Sequence, residues 1–249
     1  MTVVFVHGVP ETPALWEAVR NQLPVDSVAL RLPGFGSPHP PTLTDKNAYA
    51  AWLAEELQKI GGDIDLVGHD WGGHLAMRVV SAFPEAGVRS WVSDVAYGWH
   101  PDYQWHPIAA LWQQSPEGEQ FLASVRSGVP GTFGQLLGPR GLTAEVGDDI
   151  DAAHDESMDA AILALYRSAQ PNFHADWNPG SIDVPGLVLV PTGDVMDGVD
   201  PADVLLQNQE VARMTGARLQ ELNGVGHYWM LQNPELAADT LRAFWAELP

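Results

Sequence analysis

The sequence predicts an α/β fold, a doubly wound and mostly parallel β-sheet interrupted by a helical insertion. Three observations predict it. Six short apolar, β-branched runs lack the strict alternation of a half-solvated sheet. Stretches with helical spacing lie between most of them, as β-α-β alternation requires. Residues 98–183 break that alternation with a Trp-, Pro-, Gly- and Gln-rich segment carrying no strong strand run.

Each element follows in chain order. The runs TVVFVH (Thr2–His7), SVALRL (Ser27–Leu32), DIDLVGH (Asp63–His69), VRSWVSDV (Val88–Val95), GLVLVPT (Gly186–Thr192) and ARLQELN (Ala217–Asn223) are the six strands. The first two read as buried. PALWEAVRNQL places Leu15, Trp16, Val19 and Leu23 on one face, and NAYAAWLAEELQKI places Tyr49, Trp52, Leu53, Leu57 and Ile60 likewise. HLAMRVVSAF aligns Leu75, Val79 and Phe83, and NPELAADTLRAFWAEL aligns Leu236, Leu241 and Trp245. Within 98–183 the helical pieces are Ile108–Gln114, Glu117–Arg126 and Ser157–Ser168. The expected organisation is a core of residues 1–97 and 184–249, with 98–183 as a helical cap, or lid, over the C-terminal edge of the sheet.

Composition narrows the function. Apolar residues make up 45% of the 249, enough for a large core, and the formal net charge is −20. That balance disfavours nucleic acid and anionic membranes, which would repel the chain. The absence of cysteine excludes disulfides, thiolate metal sites and a Cys nucleophile. The chain opens MTVVFVHG without a basic-then-apolar leader, and no apolar run reaches the length of a membrane span, so a cytoplasmic location is expected. The nine histidines contain no H-E-x-x-H, and PGFGSP is too short for a dinucleotide fingerprint, so neither a metal nor another cofactor is expected.

The chemistry concentrates where the third strand meets a helix, at Gly68-His69-Asp70-Trp71-Gly72. A tight strand-to-helix turn strains its central residue, and small residues two positions to either side avoid clashes. Asp70 would project above the sheet at a helix N-terminus, where the dipole favours its ionised form. The bland alternative is an Asp that merely caps the helix. The stretch resembles the nucleophile elbow of the α/β-hydrolase family with Asp in place of the commoner Ser. In that respect it is similar to epoxide hydrolases and haloalkane dehalogenases, which form an ester between this carboxylate and an sp³ carbon.

Further segments carry the same resemblance. His7-Gly8-Val9-Pro10-Glu11 resembles the H-G-x-P oxyanion motif, which implies that the backbone N–H groups of Val9 and Trp71 hold an oxyanion. Leu32-Pro33-Gly34-Phe35-Gly36 resembles the D-x-P-G-x-G turn of the family, with Arg31 in place of the Asp. Gly224-Val225-Gly226-His227 resembles the terminal loop that carries the general base, His227. The family places the acid that orients the base after the strand following the lid. Asp194 takes that place, with Pro191 where a Gly is usual; Asp197 ranks second and Asp94 third. The chain order Asp70, Asp194, His227 is that of the hydrolase fold, and a sheet without the family's usual N-terminal hairpin is expected.

The resemblance leaves two reactions to separate. An opening epoxide needs a proton donor, for which Tyr166 ranks first, Tyr103 second and Tyr97 third. A halide needs N–H donors instead: Trp71, together with one of the insert tryptophans Trp99, Trp105, Trp112 or Trp177, because position 9 is Val rather than Asn. Epoxide hydrolysis of a small apolar electrophile with water is the first reading, dehalogenation the second, and a non-catalytic binding protein on the same fold the third.

Overall fold

The computed structural model describes residues 1–177, 180–194 and 200–248. Its sheet has six parallel strands: β1 (Thr2–Val6), β2 (Ser27–Leu30), β3 (Ile64–Gly68), β4 (Val88–Ser93), β5 (Gly186–Pro191) and β6 (Arg218–Leu222). All six fall within the apolar runs of the sequence. The spatial order is β2-β1-β3-β4-β5-β6. The chain therefore steps to one side from β1 to β2 and to the other side at β3. That reversal opens a crevice beyond the C-terminal ends of β1 and β3, where α/β sheets of this kind bind ligands.

Strand β3 is buried throughout, and β1 is buried but for Thr2 at its start. The two edge strands are not. Val28 of β2 is exposed, and β6 presents Arg218, Gln220 and Glu221 to solvent. Reading SVALRL as buried is thus corrected: an edge strand has one neighbour, and helices cover it incompletely.

The helices α1 (Glu17–Arg20), α2 (Lys46–Ile60) and α3 (Trp71–Ala82) connect the first four strands. Asp45 caps α2 by accepting from the Ala48 N–H, and Tyr49, Ala50, Leu53, Ala54 and Leu57 form its buried stripe. Between β4 and β5 the chain forms α4 (Pro107–Trp112), α5 (Glu117–Arg126), α6 (Phe133–Leu137), α7 (Ala144–Ala153), α8 (Glu156–Ser168) and α9 (His174–Trp177). Helix α10 (Pro201–Thr215) joins β5 to β6, and α11 (Trp229–Gln232) and α12 (Pro234–Ala246) follow.

Five of these helices lie outside the stretches read as helical, α11 among them as a single turn. In α7 only Val146, Gly147 and Ile150 are buried among acidic residues, so the apolar stripe is too narrow to stand out. It packs on α6 where Gly134 faces Gly147; a Cβ on Gly134 would lie 2.8 Å from the Gly147 carbonyl. Helix α10 buries only Asn208, Val211, Ala212 and Thr215, and α6 and α9 are single turns.

One lysine ties the insert to the core. Lys46, at the start of α2, is buried, donates to the Ser168 carbonyl at 2.6 Å and pairs with Asp176 at 2.7 Å. Lys59, at the other end of α2, stands in solvent beside Glu56.

Where β4 meets β5, Gly186 lies against the buried Trp91, and an added Cβ would fall 2.2 Å from the indole. Gly186→Ala should therefore cost about 1–3 kcal/mol by overpacking, measured as a lowered urea midpoint with an unchanged slope.

Candidate active site

The C-terminal ends of β1, β3, β4 and β5 deliver the site residues to one edge of the sheet. Asp70 stands between β3 and α3 with φ 48° and ψ −123°. It is the one non-glycine among the described residues with positive φ. The flanking glycines permit this strain by close approach: a Cβ on Gly68 would lie 2.2 Å from the Gly72 carbonyl, and one on Gly72 would lie 2.3 Å from the Val6 carbonyl. The Asp70 side chain makes no N-cap bond, which removes the helix-cap alternative. Instead Oδ1 accepts the Val9 N–H at 3.0 Å, joining the two loops that the sequence singled out.

Asp70 opens into a cavity of about 540 Å³ between the sheet edge and the helical insert. Val9, Trp71, Tyr103, Tyr166 and His227 line it as well, as do Tyr97 and Tyr228. Removal from water pushes the Asp70 carboxyl above its ordinary value, with the charge of Glu11 adding to this; His227, His69 and the Val9 N–H pull the other way. The helix terminus expected to favour the ionised form is outweighed by burial.

His227 Nδ1 and Asp194 Oδ2 are 3.0 Å apart. Burial opposes the Asp194 charge, but His227 and Arg140 outweigh it and hold the carboxyl well below the usual range. Asp94 hydrogen-bonds to His69 rather than to His227. Asp197 lies outside the described residues.

The buried chain behind Asp70 was not legible in the sequence. Gly8 N–H donates to Glu11 Oε2 at 2.8 Å, and Glu11 Oε1 meets His69 Nε2 at 3.2 Å. His69 Nδ1 meets Asp94 Oδ2, which also accepts the Trp229 indole N–H at 2.6 Å, while Asp94 Oδ1 accepts the Asp70 backbone N–H at 3.0 Å. Burial disfavours the His69 imidazolium, but Asp94 and Glu11 outweigh it and hold the group well above its ordinary value. Burial likewise disfavours the charge on each carboxylate, and His69 outweighs it, holding both below theirs. The arrangement is a carboxylate–imidazolium–carboxylate chain. Glu11, His69 and His227 also place nitrogen or oxygen atoms within 4.8 Å of one another. Glu11 and His69 already direct those atoms at each other, which is the geometry of an ion pair rather than an open ligand set.

The tyrosines and tryptophans divide by their partners. Burial, then the negative Asp70, pushes the Tyr166 and Tyr103 phenols up and keeps both protonated. Tyr166 packs edge-on against Trp71, with ring centroids 5.2 Å apart, and against Trp112, 4.7 Å away. The Trp99 indole N–H donates to His74, that of Trp105 to the Ala169 carbonyl and that of Trp177 to Asn47. The indole nitrogens of Trp71 and Trp112, both lining the cavity, are buried without a hydrogen-bond partner; the Tyr166 hydroxyl approaches that of Trp71 without the alignment of a bond.

With this geometry in place, comparison with known proteins identifies the class. The model of the alpha/beta hydrolase family matches residues 3–240, and the chain belongs to that family. No curated protein sequence matches it. Among solved structures it is similar to an epoxide hydrolase from Bacillus megaterium in complex with an inhibitor (15% identity, TM-score 0.76, covering 99% of this chain and 93% of that one). It is also similar to a haloalkane dehalogenase from Bradyrhizobium elkani (19% identity, TM-score 0.71, 99% and 90%). A lipase-esterase related protein from Clostridium acetobutylicum shares the fold too (16% identity, TM-score 0.66, 98% and 93%). Among the described residues no helix is long and apolar enough to cross a membrane.

The ion chain has a defined pH signature. Glu11 and Asp94 are held below their ordinary values, so their contribution is present above about pH 4 and is lost as the pH falls. His69 is held above its own, so its contribution is full below about pH 6.5 and is lost as the pH rises through the raised value. Asp94→Asn should cost about 3–5 kcal/mol at pH 6 by leaving the imidazolium short of a carboxylate. Urea unfolding over a pH series should show the gap from wild type narrowing in alkali, as His69 loses its proton.

Proposed function

We propose that the chain is an epoxide hydrolase acting on apolar epoxides. The observation that carries this reading is the convergence of two protonated phenols, Tyr166 and Tyr103, on the cavity that Asp70 opens into. An opening epoxide develops an alkoxide and needs such donors.

In the proposed mechanism Asp70 Oδ2 attacks an epoxide carbon while Oδ1 stays on the Val9 N–H. The carbon–oxygen bond of the ring breaks, and the leaving oxygen takes a proton from Tyr166, assisted by Tyr103. The product of this step is an alkyl ester of Asp70. His227, oriented by Asp194, then removes a proton from water, which adds to the ester carbonyl. The N–H groups of Val9 and Trp71 hold the resulting oxyanion. Collapse of that intermediate returns the proton from His227 to the departing alkoxide and releases a vicinal diol; the water's second proton, left on the Asp70 carboxyl, passes to the Tyr166 phenolate and restores both groups. The insert acts as a lid that keeps bulk water from the ester, and its Ile108, Phe121 and Phe133 make the cavity apolar.

A second reading, haloalkane dehalogenation through the same ester, is favoured by the unpartnered indole N–H groups of Trp71 and Trp112. A halide leaves without a proton and needs only such donors. Tyr166→Phe separates the two: it should slow diol formation from styrene-type epoxides by about 10²–10⁴-fold, the usual value of a general acid, and leave halide release from haloalkanes near wild type if the second reading holds.

A single turnover in ¹⁸O-water should place the label in the Asp70 carboxylate and not in the first diol released; label in that diol would refute the ester. His227→Gln should accumulate the ester on Asp70, seen by mass spectrometry as an adduct of the substrate's mass. A binding protein on this fold would show no adduct.

A further inference from the structure

The cavity contains one cation that the reaction above does not use. Arg140 follows α6, on the insert, and its guanidinium donates to Asp194 Oδ1 at 2.7 Å. The other oxygen of the same carboxylate, Oδ2, is the one on His227. Two partners from different parts of the chain therefore divide one carboxylate between them.

The backbone of Arg140 is tethered to the same loop. Gln232 Nε2 donates to the Arg140 carbonyl at 3.2 Å, and Gln232 Oε1 accepts the Gly226 N–H at 2.6 Å, one residue before His227. The next residue, Gly141, has φ +102°, and a Cβ there would lie 1.9 Å from Gln232 Nε2. The turn after Arg140 thus requires glycine for both conformation and space. Side chain and main chain together fasten residue 140 to both members of the Asp194–His227 pair.

We propose that Arg140 is a positioning residue for the base: by sharing the Asp194 carboxylate with His227, it sets how strongly that carboxylate holds the imidazole and couples the base to the seating of the insert. A fork-shaped guanidinium on one oxygen fixes the plane of the carboxylate, so the other oxygen keeps its line to His227. The cation also offsets part of the negative charge that His227 faces. If the insert swings away, Asp194 loses this partner, and the imidazole loses its fixed orientation with it.

Other charged and titratable groups also face His227. Asp70, His69 and Asp94 come from the β3 and β4 turns, and Glu11 from the β1 loop. His106 lies on the insert, and Tyr228 is next in the chain. All of them are common to wild type and Arg140 variants, so a difference between the proteins reports on residue 140.

The inference rests on reading His227 as the base and Asp194 as its orienter, and the test separates the two. Arg140→Gln and Arg140→Leu remove the charge, and Arg140→Lys keeps it. In ligand-free full-length protein, the NMR resonance of the His227 Nδ1 proton should move further downfield in Gln and Leu, with Lys close to wild type. Single-turnover breakdown of the Asp70 ester should slow about 10- to 100-fold in Gln and Leu, as a misplaced base would, and recover with Lys. Folded Gln and Leu variants with an unmoved proton resonance would overturn the proposal. Should those two not fold, Gln232→Leu, which cuts the backbone tether, carries the test: the same displacement supports the proposal and an unchanged resonance refutes it. Failure of every epoxide and haloalkane to esterify Asp70 would overturn the proposed reaction, while the NMR result would still decide the role of Arg140.

Discussion

The site depends on a positive imidazole held between two carboxylates in the interior. His69 bridges Glu11 from the β1 loop and Asp94 from the end of β4, and all three are buried. Glu11 fixes the loop after β1 by accepting the Gly8 N–H, and Asp94 fixes the β3–α3 turn by accepting the Asp70 N–H. Trp229, two residues after His227, donates to the same Asp94. One ion chain thus sets the relative positions of the three loops that carry Val9, Asp70 and His227. An isolated charge would be prohibitively costly at this depth; an ion flanked by two counter-ions, with further hydrogen bonds to each, is tolerable.

The parallel sheet makes this chain possible. Strand order reverses between β1 and β3, so their C-terminal ends diverge around a crevice that no connection crosses. Gly8, Gly68 and Gly72 let the backbones on either side of it approach closely; even at Gly8 a Cβ would fall 2.4 Å from that of Asp70. The strain at Asp70 persists because neighbours over-determine it: Val9 holds the carboxylate, Asp94 holds the amide, and α3 begins at the next residue.

Much of this was legible in the sequence because it is written in local patterns. The six strands are apolar runs, and Gly68-x-Asp70-x-Gly72 is a steric signature of a single turn. Asp194 and His227 come from loops whose place in the chain order is set by the fold, and the structure brings their side chains together. What was not legible comes from long-range pairing. His69 reads as a filler between Gly68 and Asp70, and Glu11 as the tail of a turn. Neither spacing nor periodicity shows that they meet across 58 residues of chain. Arg140 lies 54 residues from Asp194, just after α6, whose five residues are too few to show a period. The edge strand β2 was misjudged for a related reason: an apolar composition does not say how many neighbours a strand will have.

The two lysines differ in a way that bears on handling the protein. Lys46 is sealed between α2 and the insert, whereas Lys59 stands in solvent at the end of α2 that leads into the start of β3. The cavity opens at the opposite edge, where β3 ends. Amine-directed coupling to a resin or a dye would therefore attach the molecule through Lys59 or the exposed α-amine of Met1, both on its far side. Immobilised molecules would keep the cavity mouth turned away from the support.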